Sequence, residues 1–268
     1  MDKGIKDDFR QIGVVTQYEL YKHIRSRRLL IFAGLMALLF VLITALSFVL
    51  NGKLPDDSKA FIELYVGFIS LLIIVGVSLL CAPTIASEFE ERTALLIFPR
   101  PIKRTSFFVG KVLACYIVCG AVIIAYYLAC IVLSFIAAGG VYGSTFGSLG
   151  MALLFMLGAG GFALLMSSLF KKSSTAMIIT IATLLLILGM IDGTMMVFNV
   201  EPVFSLTYAA VDILNIIQGA STSQQWLGIE GMYMTIFYPS HLLSVSIMLT
   251  WFAVTTVLSA LLFRRREF

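Results

Sequence analysis

Six long apolar runs dominate the sequence and limit what it can fold into. They are almost free of Lys, Arg, Asp and Glu, and they occupy residues 29–50, 64–87, 112–138, 148–170, 174–196 and 242–263. A helix of about 20 apolar residues spans the roughly 30 Å of bilayer hydrocarbon. Because backbone groups in lipid must be hydrogen-bonded within the span, and because the runs lack the alternation of barrel strands, helices fit best. The sequence predicts an all-α integral membrane protein with six transmembrane helices.

The basic residues set the expected orientation of these helices. Only 13% of the 268 residues are charged, against about 25% in soluble domains. All but two of the 19 Lys and Arg residues fall on one side of the six runs, and Lys53 and Lys59 are the exceptions. Because basic residues are retained in the cytoplasm, we predict a multi-pass protein of the cell membrane with both termini cytoplasmic. The net charge of +4 then reflects topology and does not indicate nucleic-acid binding.

The six runs predict a transmembrane domain of residues 29–263, and the segments outside the runs are expected to fold at the membrane surface. In residues 1–28, apolar side chains recur every third residue from Phe9 to Tyr21 and a basic cluster follows. This pattern predicts an amphipathic helix in the cytoplasmic interface, with a plain solvated tail as the alternative. Residues 192–241 are too long for a turn and predict short outer helices or a re-entrant hairpin. Residues 264–268 form a basic cytoplasmic tail.

The sequence argues against chemistry inside the membrane. Ion-coupled transporters keep ionisable groups at mid-membrane, but Glu63 and Asp192 fall near span ends. The two histidines, His23 and His241, lie on opposite sides, which excludes a zinc pair of the HExxH type. The sequence also has no GxxxxGK[ST] phosphate loop. We therefore expect a non-catalytic protein without a metal or cofactor of its own, whose energy comes from another chain.

Energy could enter through the cytoplasmic stretch between the second and third runs, residues 88–111, which we call the junction segment. It carries four consecutive apolar residues, Leu95 to Phe98, between charged residues and two prolines. Such a run is unstable alone in water and is what a groove on a partner would bury. The alternative is that the run folds back against the membrane face.

The junction segment resembles that of the membrane subunits of ABC-2-type ABC transporters. In that family it reads E, four residues, T, seven residues, P, two residues, R, five residues, GK. This chain has the same residues at the same spacing: Glu88, Thr93, Pro101, Arg104, Gly110 and Lys111. Arg92 departs from the pattern, because the family usually has Gly before the Thr. Six spans, an interfacial amino-terminal helix and a long outer segment before the last span also look like that family.

The resemblance implies that the junction segment forms a coupling helix gripped by a separate ATP-binding cassette subunit, which binds ATP and Mg²⁺. The implied docking residues are Glu88, Glu91, Thr93, Leu95, Leu96, Phe98, Pro101, Arg104 and Lys111. A second contact is implied at Lys171 and Lys172. Such subunits work in pairs, so the other expected partners are a second copy or a related permease, and membrane lipids.

We therefore expect the permease subunit of an exporter, in which ATP hydrolysis by a partner rocks the spans and opens a path alternately. The alternative is a membrane scaffold or sensor that binds an ATPase without moving a substrate. The sequence does not identify a substrate.

Overall fold

The structure is a computed structural model, and it describes residues 2–52, 54–55, 57–90, 103–226 and 233–265. Helices account for most of these residues. The helices are α1 (Asp2–Ile24), α2 (Arg27–Asn51), α3 (Ser58–Val66), α4 (Ile69–Leu80), α5 (Pro83–Glu90), α6 (Arg104–Ala138), α7 (Thr145–Leu169), α8 (Ser173–Ile181), α9 (Leu188–Val197), α10 (Leu206–Ala210), α11 (Asp212–Gln218) and α12 (His241–Arg265). A π-helical stretch, Ala182–Ile187, joins α8 to α9.

Six helical segments of the described chain are long and apolar enough to cross a membrane, which confirms the predicted fold class. They are Arg27–Val49, Ser58–Glu90, Arg104–Ala138, Thr145–Leu169, Ser173–Val197 and His241–Arg265, and we call them spans 1 to 6. Span 2 comprises α3, α4 and α5, and span 5 comprises α8, the π-helical stretch and α9. Spans 2 and 3 run beyond the apolar runs from which they were predicted, because the helices continue through charged residues. Span 2 includes Lys59 and Glu63 at its start and ends at Glu90, and span 3 starts at Arg104.

Both ends of the described part of the chain lie at the same end of the helical bundle. The last turn of α12 packs on the start of α6, where the ring centroid of Phe263 is 5.6 Å from that of Phe108. Helix α1 also packs along the start of α6, and the Thr16 hydroxyl donates to the Gly110 carbonyl at 3.2 Å. We call this end, which carries most of the basic residues, the basic end.

The amino-terminal segment is helical, and only part of the predicted apolar stripe is buried in the protein. Val15 and Glu19, one helical turn apart, are buried against the rest of the protein. Phe9, Tyr18 and Tyr21 are instead 62–70% exposed. The buried face therefore includes a carboxylate, whereas the three aromatic side chains are exposed on the surface of the protein.

The opposite end of the bundle is closed by the outer segment. Helices α10 and α11 confirm the predicted short helices, and the Ser148 hydroxyl fixes α11 to span 4 by donating to the Ile213 carbonyl at 2.7 Å. Strands β1 (Ser223–Trp226) and β2 (Tyr233–Ile236) pair antiparallel and were not predicted. Each strand has only four residues, too few to show a periodic pattern in the sequence.

Span 4 lies at the centre of the bundle and packs closely on span 6. An added Cβ at Gly161 would lie 2.5 Å from the Thr255 Oγ1 atom and 3.4 Å from the Phe252 carbonyl oxygen. The Thr255 side chain cannot easily move away, because its hydroxyl donates to the Trp251 carbonyl at 2.6 Å. Only a residue without a side chain fits this contact.

Replacing Gly161 with Leu should therefore push spans 4 and 6 apart. We expect a loss of about 1–3 kcal/mol in the free energy of unfolding, the usual cost of overpacking a core. The measurement is thermal unfolding of the purified protein in detergent. Gly150→Leu on the same helix is the matched control, since a Cβ there meets nothing within 4 Å. Equal unfolding midpoints for the two variants would contradict the packing.

Candidate coupling site at the basic end

The structure describes five of the predicted docking residues, Glu88, Arg104, Lys111, Lys171 and Lys172. The other six lie outside the described residues: Glu91, Thr93, Leu95, Leu96, Phe98 and Pro101. What the structure describes is therefore the frame that holds the junction segment at its two ends, together with the predicted second contact.

Lys111 is buried in an ion-paired cluster where spans 2 and 3 meet helix α1. Its Nζ atom is 2.5 Å from Oε1 of Glu19 and 2.8 Å from Oε1 of Glu88. All three side chains are less than a tenth exposed. The Lys111 ammonium group also lies over the Phe107 ring, 5.0 Å from its centroid. Since a buried charge is costly unless it is paired, each member of this cluster depends on the others.

The cluster joins three elements that are far apart in the sequence. Glu19 belongs to α1, Glu88 to the end of span 2 and Lys111 to the second turn of span 3. Lys22, one turn beyond Glu19 in α1, reaches the same Glu88 oxygen at 3.2 Å. Glu88 and Lys111 are also the first and last residues of the junction segment. The segment is therefore closed at its base by a direct ion pair between its two ends.

Lys111 and Glu88 do not present their charges at the surface. Both were predicted as docking residues, and their burial gives them a positioning role in any docking arrangement, because a partner would meet the segment that they hold. Arg104, by contrast, is exposed at the first turn of α6. Its neighbour Lys103 pairs with Asp8 at 2.6 Å, which ties the start of span 3 to α1 a second time.

Hydrogen bonds link the predicted second contact, at Lys171 and Lys172, to the junction segment through the next residue, Ser173. Lys171 and Lys172 are exposed in the short turn between spans 4 and 5. The next residue, Ser173, donates both its backbone N–H, at 3.0 Å, and its hydroxyl to the Glu90 carboxylate. Glu90 is the last residue of span 2. Glu90 therefore joins the end of span 2 to the start of span 5.

The helical hydrogen bonding of span 2 is interrupted just before the junction segment, and span 4 supplies a hydrogen-bond acceptor there. Pro83 begins α5 after a turn at Cys81 and Ala82, so the helical hydrogen-bonding pattern is interrupted there. The Ser167 hydroxyl oxygen of span 4 accepts the N–H groups of Ile85 and Ala86 at 2.9 and 3.0 Å. These donors lie inside the protein, where an unpaired N–H group is unfavourable.

Sequence reasoning did not name Glu19, Glu90, Ser167 and Ser173 as site residues, although Glu90 lies in the junction segment and Ser173 directly follows the predicted contact at Lys172. Glu19 had a readable signal, because it lies one helical turn from Val15 on the same face of a predicted helix. A carboxylate on a face that is to be buried needs a cation, and Lys111 is the basic residue nearest to the apolar run of span 3. Ser167 and Ser173 had no such signal, since serines in spans more often bond their own helix.

These features define a class of protein: an α-helical membrane protein in which ion pairs and hydrogen bonds at the basic end join the two ends of the junction segment to α1 and span 5. Within the described residues, no group of three or more His, Cys, Asp or Glu side chains is arranged to hold a metal ion. Residues 14–268 match the family described as ABC-2 family transporter protein, and the chain belongs to this family. It is therefore an integral membrane permease subunit of an ABC transporter and is non-catalytic. A search of the curated proteins found no match.

Proposed function

We propose that this chain is the permease subunit of an ABC exporter in the cytoplasmic membrane, driven by a separate ATPase subunit that docks on the junction segment. The family implies an ABC ATPase partner in general. The further elements of the proposal are the docking site, the export direction and the membrane.

The ion pair between Glu88 and Lys111 is the observation that carries the proposal. It closes the base of the junction segment and fixes that base to α1 through Glu19. A partner that moves the segment would move spans 2 and 3 and helix α1 as one unit. Glu90 and Ser173 extend the same connection to span 5. Ion pairs and hydrogen bonds that join these elements would transmit a displacement of the junction segment from the basic end to the spans.

Orientation follows from the charges. The basic end carries Arg25, Arg27, Arg28, Lys171 and Lys172 among its exposed or half-buried residues. Under the positive-inside rule this end faces the cytoplasm, where an ATPase has access to ATP. The outer segment with its two strands then faces the opposite side.

A complete transporter would contain two such subunits, either two copies of this chain or this chain with a relative. A path between them would be opened alternately to the two sides as the ATPase subunits bind and hydrolyse ATP. Much of the surface of span 1 is apolar and exposed, with Leu30, Leu38 and Val41 each more than 60% exposed. Membrane lipids and the second subunit are its proposed neighbours.

Reconstitution tests this proposal against the scaffold alternative. The chain is co-purified with its ATPase, inserted into vesicles with the basic end outward, and given ATP with a panel of amphipathic and lipid-like compounds. We expect at least one compound to accumulate inside the vesicles only when ATP is hydrolysed. Vesicles that hydrolyse ATP and move none of the compounds would contradict the export function and favour the scaffold.

A further inference from the structure

A second feature of the basic end lies apart from the junction segment. A cavity of about 250 Å³ opens in the corner where α1 ends, α2 begins and the helical hydrogen bonding of span 2 is interrupted. Its walls include Lys22 and His23 of α1, Arg27 and Arg28 of α2, and Thr84 and Ser87 of α5. The cavity has the size and the polar lining of a site for a small charged group.

Positive charge is in excess around this cavity. Glu19 also lines it, but its carboxylate is held by Lys111 at 2.5 Å. Glu88 likewise interacts with both Lys111 and Lys22. The cavity wall itself carries three cationic side chains, Lys22, Arg27 and Arg28, and one carboxylate, Glu19. The adjacent pair of Glu88 and Lys111 does not change this balance.

The two arginines supply most of this excess. Among the described side chains, no carboxylate lies within 4.0 Å of either guanidinium group. Glu90 is close enough to Arg28 to interact electrostatically, but it already accepts two hydrogen bonds from Ser173. Guanidinium groups are well suited to bind the oxygens of a phosphate in pairs.

Hydroxyl groups complete a set of donors. The Ser26 oxygen accepts the Leu29 N–H at 3.3 Å, which leaves its own O–H able to donate. Ser26, which immediately precedes α2, and Ser87 of α5 both line the cavity. Arginine and hydroxyl donors converging on one small cavity match the acceptor oxygens of a phosphate group.

The surroundings of the cavity indicate where that phosphate comes from. Leu30 and Ile31, two and three residues after Arg28 in α2, are 68% and 58% exposed. They belong to span 1, so their side chains lie where acyl chains run. Basic pockets between membrane helices are suited to anionic head groups. We propose that this cavity binds the phosphate group of an anionic phospholipid, with the acyl chains of that lipid lying along the exposed face of span 1.

The test measures binding of three soluble probes to the purified full-length chain in zwitterionic detergent. They are short-chain phosphatidylglycerol, short-chain phosphatidylcholine and inorganic phosphate. Binding is followed by native mass spectrometry and by the rise in the thermal unfolding midpoint. We expect saturable binding of one phosphatidylglycerol per chain, at least tenfold tighter than phosphatidylcholine or inorganic phosphate. Phosphatidylcholine binding equally well would overturn the charge argument, and inorganic phosphate binding equally well would overturn the lipid source.

Paired variants locate the site. Arg27→Gln with Arg28→Gln should weaken phosphatidylglycerol binding at least tenfold. Arg264→Gln with Arg265→Gln, in the last turn of α12, removes the same charge from the same end of the bundle and should change binding less than twofold. Equal losses in both variants would show general charge attraction and overturn the proposal, as would unchanged binding in the first. Should the first double variant fail to fold, Arg27→Gln alone alters one exposed side chain and should still weaken binding at least threefold.

Discussion

Replacing Lys111 with Met should destabilise the protein more than any other single change at the basic end. The substitution keeps the length of the side chain and removes its charge, so the carboxylates of Glu19 and Glu88 stay buried without their shared partner. Removing one member of a buried ion pair costs about 3–5 kcal/mol. We expect the free energy of unfolding in detergent to fall by that amount, measured by thermal or denaturant unfolding.

Two further variants separate this effect from the loss of any lysine. Lys103→Met is the matched control: it removes the same charge from the ion pair with Asp8, where the lysine is 59% exposed, and should cost less than about 1 kcal/mol. The triple variant Glu19→Gln, Glu88→Gln, Lys111→Met leaves no unpaired charge and should recover most of the lost stability. A Lys111→Met protein as stable as Lys103→Met would show that the cluster is not the structural base of the junction segment.

The second large effect is expected at the apolar run of the junction segment. Leu95→Asp with Leu96→Asp should abolish binding of the ATPase while the chain remains in the membrane. Central apolar residues of an interface contribute about 2 kcal/mol or more each, a factor of roughly 30 in affinity per residue, and a carboxylate buried at the same place would add a desolvation penalty. The measurement is the amount of ATPase recovered with the tagged chain.

A matched double substitution on the outer segment provides the control. Val200 and Val203 are each 48% exposed between spans 5 and 6, so Val200→Asp with Val203→Asp introduces the same two charges away from the junction segment. This variant should recover wild-type amounts of ATPase. Wild-type recovery with the Leu95 and Leu96 variant would instead place the docking surface elsewhere.

The number and type of the spans could be predicted from the sequence, because a bilayer imposes a length and an apolar character that a sequence shows directly. The ends of spans 2 and 3 could not. The third apolar run begins at Val112, because Lys111 is charged, whereas the helix starts at Arg104. Lys111 lies within the helix because Glu19, 92 residues earlier, neutralises it. That pairing is a tertiary contact that hydropathy does not reveal.

The junction segment could be located from its motif, but the ion pairs and hydrogen bonds that join its two ends to α1 and span 5 could not be predicted. The motif places Glu88 and Lys111 at its two ends, and the structure explains the pair as an ion-paired base closed by α1. The contact between Glu90 and Ser173 depends on how the end of span 2 packs on the start of span 5. Glu and Ser are common residues at helix ends, so the sequence does not indicate that these two meet. The two strands of the outer segment were missed for a different reason, since four-residue strands leave little periodicity to detect.

The central claim is that a separate ATPase drives this membrane subunit through its basic end. Purification of the chain from its native membranes in mild detergent, followed by mass spectrometry of the proteins that accompany it, tests that claim most directly. We predict an ATP-binding cassette subunit in an amount comparable to the chain itself, with ATP hydrolysis in the purified sample. A chain that purifies intact and folded without any such ATPase, even after cross-linking in the membrane, would contradict the account.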